Sequence, residues 1–187
     1  MPFDKSLKDG RRISIRHANV ADAANHLKCI EACLRSGEGL VRLFDEWDRT
    51  EREHREAIRK ALYSPREIII LAINERTIIG GLDFRSSKRS RLAHTGDFGM
   101  AIRKEWRGIG VGSILLSTLM DWAESNPDIE KVSLRVLASN APAIALYKKL
   151  GFVEEGRLLR EVKYENGLYS DELIMARFVD GSTAAGA

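Results

Sequence analysis

Arg107-Gly108-Ile109-Gly110-Val111-Gly112 constrains this chain more than any other stretch. Three alternate glycines let a backbone turn tightly and expose its amides. Directly behind them Val111, Ile114, Leu115, Thr118, Leu119 and Trp122 recur at i, i+3, i+4 spacing, which predicts an amphipathic helix over residues 110–125. Ahead of them Thr95 to Ile102 reads as a strand with Phe98, Met100 and Ile102 on one face. A glycine turn between strand and helix sets the unpaired N–H groups and positive dipole end of the helix over the loop. Such a loop holds a pyrophosphate with few side chains, and Arg107 would add a charged donor. The alternative is a glycine-rich turn that binds nothing. No Lys-Ser/Thr follows the last glycine, so the stretch is not a P-loop. Several strands and helices precede it, which argues against the first turn of a dinucleotide-binding fold.

The rest of the chain is mixed in pattern. Ile13 and Ile15 alternate with polar residues, a short strand. Ala23, Leu27, Ile30 and Leu34 repeat at helical spacing, and Ser36-Gly37 stops that helix. Thr50-Glu51-Arg52-Glu53 has the form of a capping box, ahead of a stripe of Ala57, Ile58, Ala61 and Leu62 that Ser64-Pro65 ends. Glu67 to Ile73 is nearly continuous in apolar residues, as in a strand buried on both faces. Residues 74–77 turn, and Ile78 to Phe84 returns. Val132, Leu134 and Val136 alternate as a strand. Asn140 to Leu150 reads as a helix with Gly151 at its left-handed C′ position, and Asn166-Gly167 as a tight hairpin turn. Strand, two helices, three strands, helix, strand, helix and hairpin predict a mixed α/β sheet with helices on its faces. Residues 1–12 and 179–187 read as loose termini.

Composition narrows the function classes. With 187 residues, 44% of them hydrophobic, the chain suits one domain with a real core. No apolar run approaches the ~20 residues of a membrane span. The start, Met1-Pro2-Phe3-Asp4-Lys5, lacks an apolar secretory region. Cys29 and Cys33 share a helix face and read as reduced core thiols, so a cytoplasmic protein is expected. A net charge of +3, without aromatic residues interleaved among the basic loop residues Arg85, Lys88, Arg89 and Arg91, argues against a nucleic-acid partner. His17, His26, His54 and His94 lack metal-ligand spacing, so no metal is expected.

Downstream of the glycine turn, Asn140, Ala143, Leu146-Tyr147 and Leu150-Gly151-Phe152 complete a second motif. Arg-x-x-Gly-x-Gly followed some thirty residues later by Asn-x-x-Ala-x-x-Leu-Tyr-x-x-x-Gly-Phe resembles the GNAT superfamily of N-acetyltransferases. Glu155-Gly156 and residues 171–176 look like the C-terminal pattern of many bacterial members. The resemblance spans residues 13–178 as one domain. It implies an α/β fold with a mixed, mostly antiparallel central sheet, helices on both faces, and acetyl-CoA as co-substrate. Under it, the backbone of Arg107, Gly108, Ile109, Gly110, Val111 and Gly112 would hold the coenzyme pyrophosphate. Met100 and Ile102 would pair their main chain with the pantetheine arm, alongside a splayed strand starting near Val132. Asn140 would hydrogen-bond the pantetheine, and Tyr147 would give a proton to the leaving sulfur. From the residues alone, Asn140 or Ser139 caps a helix and Tyr147 is a core aromatic.

The implied reaction is attack of an amine on the thioester, with backbone amides near Met100 stabilising the oxyanion. Some families of the superfamily carry a glutamate base on the strand before the loop. Here that position falls on Gly96, leaving His94 and Asp97 as candidates, or water. Water suits an α-amine of pKa ~7.8 better than a lysine-type amine of ~10.4. The acceptor is expected to be a small-molecule or peptide amine. Glu38, Asp45, Glu46, Asp48, Glu51 and Glu53, interleaved with Arg42, Arg49 and Arg52, would favour a cationic acceptor if they line the pocket. Otherwise they form a solvated loop. Many such domains pair, so a homodimer stays open.

Overall fold

The computed structural model describes residues 2–37 and 39–180. One sheet holds eight strands: β1 (Phe3–Ser6), β2 (Arg12–His17), β3 (Glu67–Asn74), β4 (Thr77–Ser86), β5 (Thr95–Ile102), β6 (Lys131–Leu137), β7 (Val153–Lys163) and β8 (Tyr169–Phe178). Their order across the sheet is β1-β2-β3-β4-β5-β6-β8-β7. Every neighbouring pair is antiparallel except β5 with β6. The helices are α1 (Ala23–Arg35), α2 (Glu51–Tyr63), α3 (Val111–Glu124) and α4 (Ala141–Lys149).

The sheet separates two apolar layers because strand residues alternate between faces. Ile68, Ile70 and Ala72 of β3 pack with Leu115, Leu116 and Leu119 of α3 and with Tyr147 of α4. Ile69 and Leu71 pack on the other face with Cys29 and Cys33 of α1 and Ile58 of α2. β3 is therefore buried on both sides, as its continuous apolar run requires. Both cysteines are buried and free. No helix among the described residues is long and apolar enough to cross a membrane.

The local signals act as their chemistry dictates. Thr50 accepts from the Glu53 amide, and Glu53 accepts from the Thr50 amide at 2.8 Å, closing the capping box. Gly151 takes φ +85° behind α4, and Gly167 takes φ +81° in the hairpin turn. On α2, however, Leu62 is exposed and His54 is buried beside Ile58. The buried stripe is shifted toward the N-terminus because His54 pairs inside with His26.

The N-terminal segment departs from the loose reading of residues 1–12. Phe3–Ser6 adds β1 to the edge of β2, and Leu7 is buried. The amide of Lys8 donates to the Ile109 carbonyl at 3.2 Å. Arg11 stacks on Trp106 at 3.9 Å and donates to the Glu105 carbonyl. These residues brace the glycine turn from outside, a contact between distant segments that no local periodicity encodes. The expected tail over 179–187 lies, from residue 181 on, outside the described residues, as does Glu38.

Candidate functional site

The site begins where β5 and β6 part. Their parallel register runs only over Thr95–Lys131, Gly96–Val132 and Asp97–Ser133. β6 then turns to β8, whereas β5 continues beside β4 through Gly99–Asp83, Met100–Leu82 and Ile102–Gly80. One edge of β5 is therefore left without a neighbouring strand from Phe98 onward.

Main-chain direction along that edge follows from two bonds. The Arg103 amide donates to Ile79, and the Ser87 amide donates to Thr95. Antiparallel pairs alternate, so the odd-numbered residues of β5 exchange bonds with β4. Met100 and Ile102 accordingly turn their N–H and C=O groups toward the gap. The Ile102 carbonyl there accepts Arg107 Nε at 2.9 Å.

The glycine turn closes the end of this gap. Gly108 has φ +76° and Gly110 φ +110°, conformations that L side chains rarely adopt. A Cβ at either would meet nothing within 4 Å, so the turn borders open space. Gly110 is the N-cap of α3, and the first amides of that helix follow it. Gly112 is tight instead: a Cβ there would lie 3.1 Å from Leu146 and 3.4 Å from Ile102. That close approach docks the first turn of α3 on α4 and β5. The Arg107 guanidinium is also held by Ser36 Oγ at 2.9 Å, which ties the turn to the end of α1.

From the other side of the gap, α4 brings Asn140 and Tyr147. Asn140 caps α4, its side-chain oxygen accepting from the Ala143 amide at 3.3 Å. Its amide nitrogen lies 2.6 Å from where a Cβ on Gly39 would sit, against the α1–α2 segment. Tyr147 is 8% exposed and packs edge-on to Phe98 of β5 at 5.8 Å between centroids. Burial pushes its phenol up to about 12. The hydroxyl therefore stays protonated throughout the physiological range.

The acid candidates rearrange. Asp97 is exposed and lies in the paired section, beside Ser133 and opposite Arg85. His94 is exposed at the foot of β5, where its carbonyl accepts from the Glu130 and Lys131 amides. Asp83 of β4 stands instead across from Gly99, next to Met100 and within the splayed part. A Cβ on Gly99 would lie 3.4 Å from Asp83 Oδ1. Its side chain keeps 40% of its surface, yet crowding by the surrounding protein raises the carboxyl above the ordinary range, against the pull of Arg85, Arg49 and Arg42. Sequence reasoning missed it because its importance comes from register and from the absent side chain of Gly99.

The acidic lining does not form among the described residues. Asp45, Glu46, Asp48, Glu51 and Glu53 are all exposed. Glu46 accepts from the Leu43 amide, Glu51 pairs with Arg55, and Glu53 is spent in its cap. The charges turned toward Asp83 are guanidinium groups. Among the described residues no group of three His, Cys, Asp or Glu side chains is arranged to hold a metal.

Known proteins share this family and fold. The acetyltransferase (GNAT) family matches residues 37–152. An L-amino acid N-acetyltransferase of Escherichia coli is 32% identical over 108 residues, which cover 58% of this chain and 66% of that protein. A spermidine N(1)-acetyltransferase of Vibrio cholerae is 34% identical over 80 residues, 43% of this chain and 46% of that one. The chain thus aligns with less than two thirds of the length of these relatives. A solved GNAT acetyltransferase of Streptococcus pneumoniae superposes with TM-score 0.86 at 28% identity, covering 89% of this chain and 99% of its own. An acetyltransferase of Salmonella typhimurium, solved with its cofactor acetyl-CoA, has the same fold at TM-score 0.80 and 18% identity, covering 94% and 98%. A splayed β5–β6 pair closed by a glycine turn, together with a family match across most of the chain, identifies it as a member of the GNAT acetyltransferase family.

Proposed function

We propose that this protein transfers an acetyl group from acetyl-CoA to a primary amine, a protein N-terminus or a small amine, by direct attack in a ternary complex. The observation that carries the reading is the free edge of β5, with the main chain of Met100 and Ile102 turned into the gap and the glycine turn at its end. The pantetheine arm would pair with that edge. The pyrophosphate would meet the amides of residues 107–112 at the α3 N-terminus. The Asn140 side-chain nitrogen would reach the arm while its oxygen caps α4.

The chemistry follows from these positions. The neutral amine attacks the thioester carbonyl, a C–N bond forms, and the Met100 amide steadies the oxyanion. The C–S bond then breaks, and Tyr147 donates a hydrogen bond to the departing sulfur. A free thiol has pKa ~8.5, so complete proton transfer from a phenol at about 12 is uphill by roughly 5 kcal/mol. Tyr147 therefore stabilises the thiolate by a hydrogen bond, and the proton that ends on sulfur is the one lost from nitrogen as the amide forms. Freeing an α-amine of pKa ~7.8 at pH 7 costs about 1 kcal/mol; a lysine-type amine costs about 4.6. Two free buried thiols suit a reducing cytoplasm.

The test is acetyl-CoA-dependent thiol release across amino acids, N-terminal peptides, polyamines and aminoglycosides, with acetyl-CoA binding measured in the same preparation. The reading expects release above the no-acceptor control with at least one primary amine. Bound acetyl-CoA without release on any of them overturns it in favour of an acyl-CoA-binding sensor.

A further inference from the structure

The face of the sheet beneath α1 and α2 carries a charge pattern that the transfer chemistry does not itself require. Gly81, Asp83 and Arg85 of β4 share that face with Ala101, Gly99 and Asp97 of β5. Three of these six are small, and a Cβ on Gly81 would strike His26 at 2.8 Å. Asp83 Oδ2 pairs with Arg85 at 2.9 Å. From the α1–α2 segment, Arg42 and Arg49 each stand 5.4 Å from the Trp47 ring. The Trp47 indole nitrogen is buried without an acceptor among the described residues. Neither Arg42 nor Arg49 has an ion-pair partner among them. The charges of Arg85, Arg49 and Arg42 all act on Asp83, and Asp97 faces Arg85 across the strands. Burial and the charge of Arg85 lower the Arg49 guanidinium from its usual range, with Asp83 and Glu53 opposing them in part.

Arg42 and Arg49 are thus guanidinium groups without an ion pair among the described residues, on the side of the sheet where Asp83 borders the place the thioester would be held. We propose that the acceptor is an amine carrying its own carboxylate, an amino-acid-like zwitterion, with its ammonium on Asp83 and its carboxylate on Arg85 and Arg49. The proposal rests on the acetyl-transfer reading and names its substrate class. Asp83 and Arg85 are two residues apart on one strand, ~6.8 Å, which an α-amino acid bridges with a hydrogen bond at each end. Binding exchanges the internal Asp83–Arg85 pair for two pairs with the ligand, and Arg49 supplies the additional donors. Arginine suits this role because its planar fork matches a carboxylate. Asp83 then accepts one proton from the ammonium, and the nitrogen attacks the carbonyl. The second nitrogen proton leaves as the amide forms, and the coenzyme departs as the thiol. A polycation such as spermidine meets three like charges here and has no carboxylate to offer.

Matched acceptors test the proposal. Thiol release is measured with the twenty standard L-amino acids, with their carboxamides and with spermidine. Calorimetry measures binding of the same compounds to the enzyme saturated with coenzyme A. The expected result is at least one amino acid whose kcat/KM exceeds that of its amide and of spermidine by tenfold or more. Arg49→Gln and Arg85→Gln should raise its KM at least tenfold while acetyl-CoA affinity is retained, and Arg49→Lys should restore part of the loss. Amides or spermidine used as well as the acids, or unchanged KM in both variants, overturn the proposal. If no acceptor releases thiol but an amino acid still binds tenfold tighter than its amide, the acceptor class stands and the transfer reading fails.

Discussion

Replacing Tyr147 by Phe removes one hydroxyl and little else. The ring keeps its edge contacts with Phe98 and Phe152, and the apolar surroundings that raise the phenol accept a phenyl ring without penalty. Fold stability should therefore change by less than about 1 kcal/mol. The phenol sits at about 12, far above a thiol, so its contribution is a hydrogen bond to charge developing on sulfur. Such a bond to a charged group is worth about 1.5–3 kcal/mol. Turnover should fall between roughly tenfold and 150-fold, with acetyl-CoA affinity unchanged within about twofold. Steady-state kcat, acetyl-CoA titration and thermal unfolding on one preparation read all three quantities. An unchanged kcat under conditions where chemistry limits turnover refutes the donor role. A fall in coenzyme affinity that accounts for the whole loss refutes it equally.

Three further outcomes follow from the same geometry. Gly110→Val forces a β-branched residue to φ +110° and should weaken acetyl-CoA at least tenfold, about 1.4 kcal/mol, in a binding titration; retained affinity contradicts the phosphate-turn role. His26 and His54 are buried, meet at 3.0 Å and are held at about 3 and about 4 by burial, with neighbouring charge from His54, Arg49 and Arg85 adding to it. Their folded values lie below the unfolded ~6.5, so their contribution is present above pH 6.5 and lost as pH falls toward 4. Urea titrations should show stability dropping by up to about 2.7 kcal/mol per pH unit in that window, and His54→Phe should flatten the slope; an equal slope in that variant contradicts the neutral pair. Deleting residues 2–11 removes β1, buried Leu7 and the Lys8–Ile109 bond, and should lower both stability, by about 2 kcal/mol, and coenzyme affinity; loss of neither contradicts the bracing role.

Much of this architecture is legible because local chemistry decides it. The Thr50 box, the Gly110 and Gly151 conformations and the α3 stripe are each set by residues within a few positions of one another. β1 was illegible because all four of its residues are exposed, so no alternation marks it. The charged segment between α1 and α2 misleads in a different way. Its acids and arginines alternate in sequence, and only the tertiary arrangement decides that the acids face solvent while Arg49 turns inward. Asn140 shows that two roles need not compete, since one amide oxygen caps α4 and the nitrogen points elsewhere. Asp83 is the clearest case of information carried by register. On its own strand it is one polar residue among buried ones, and only the pairing with Gly99 beyond the β5–β6 split gives it a site.

The central claim is that the free edge of β5 and the glycine turn hold acetyl-CoA in line with Tyr147. A crystal structure of the protein with acetyl-CoA tests it most directly. The account predicts pantetheine hydrogen-bonded to the main chain of Met100 and Ile102, pyrophosphate on the amides of residues 107–112, and the thioester sulfur within hydrogen-bond reach of the Tyr147 hydroxyl. Acetyl-CoA bound on another surface, or a thioester remote from Tyr147, contradicts it.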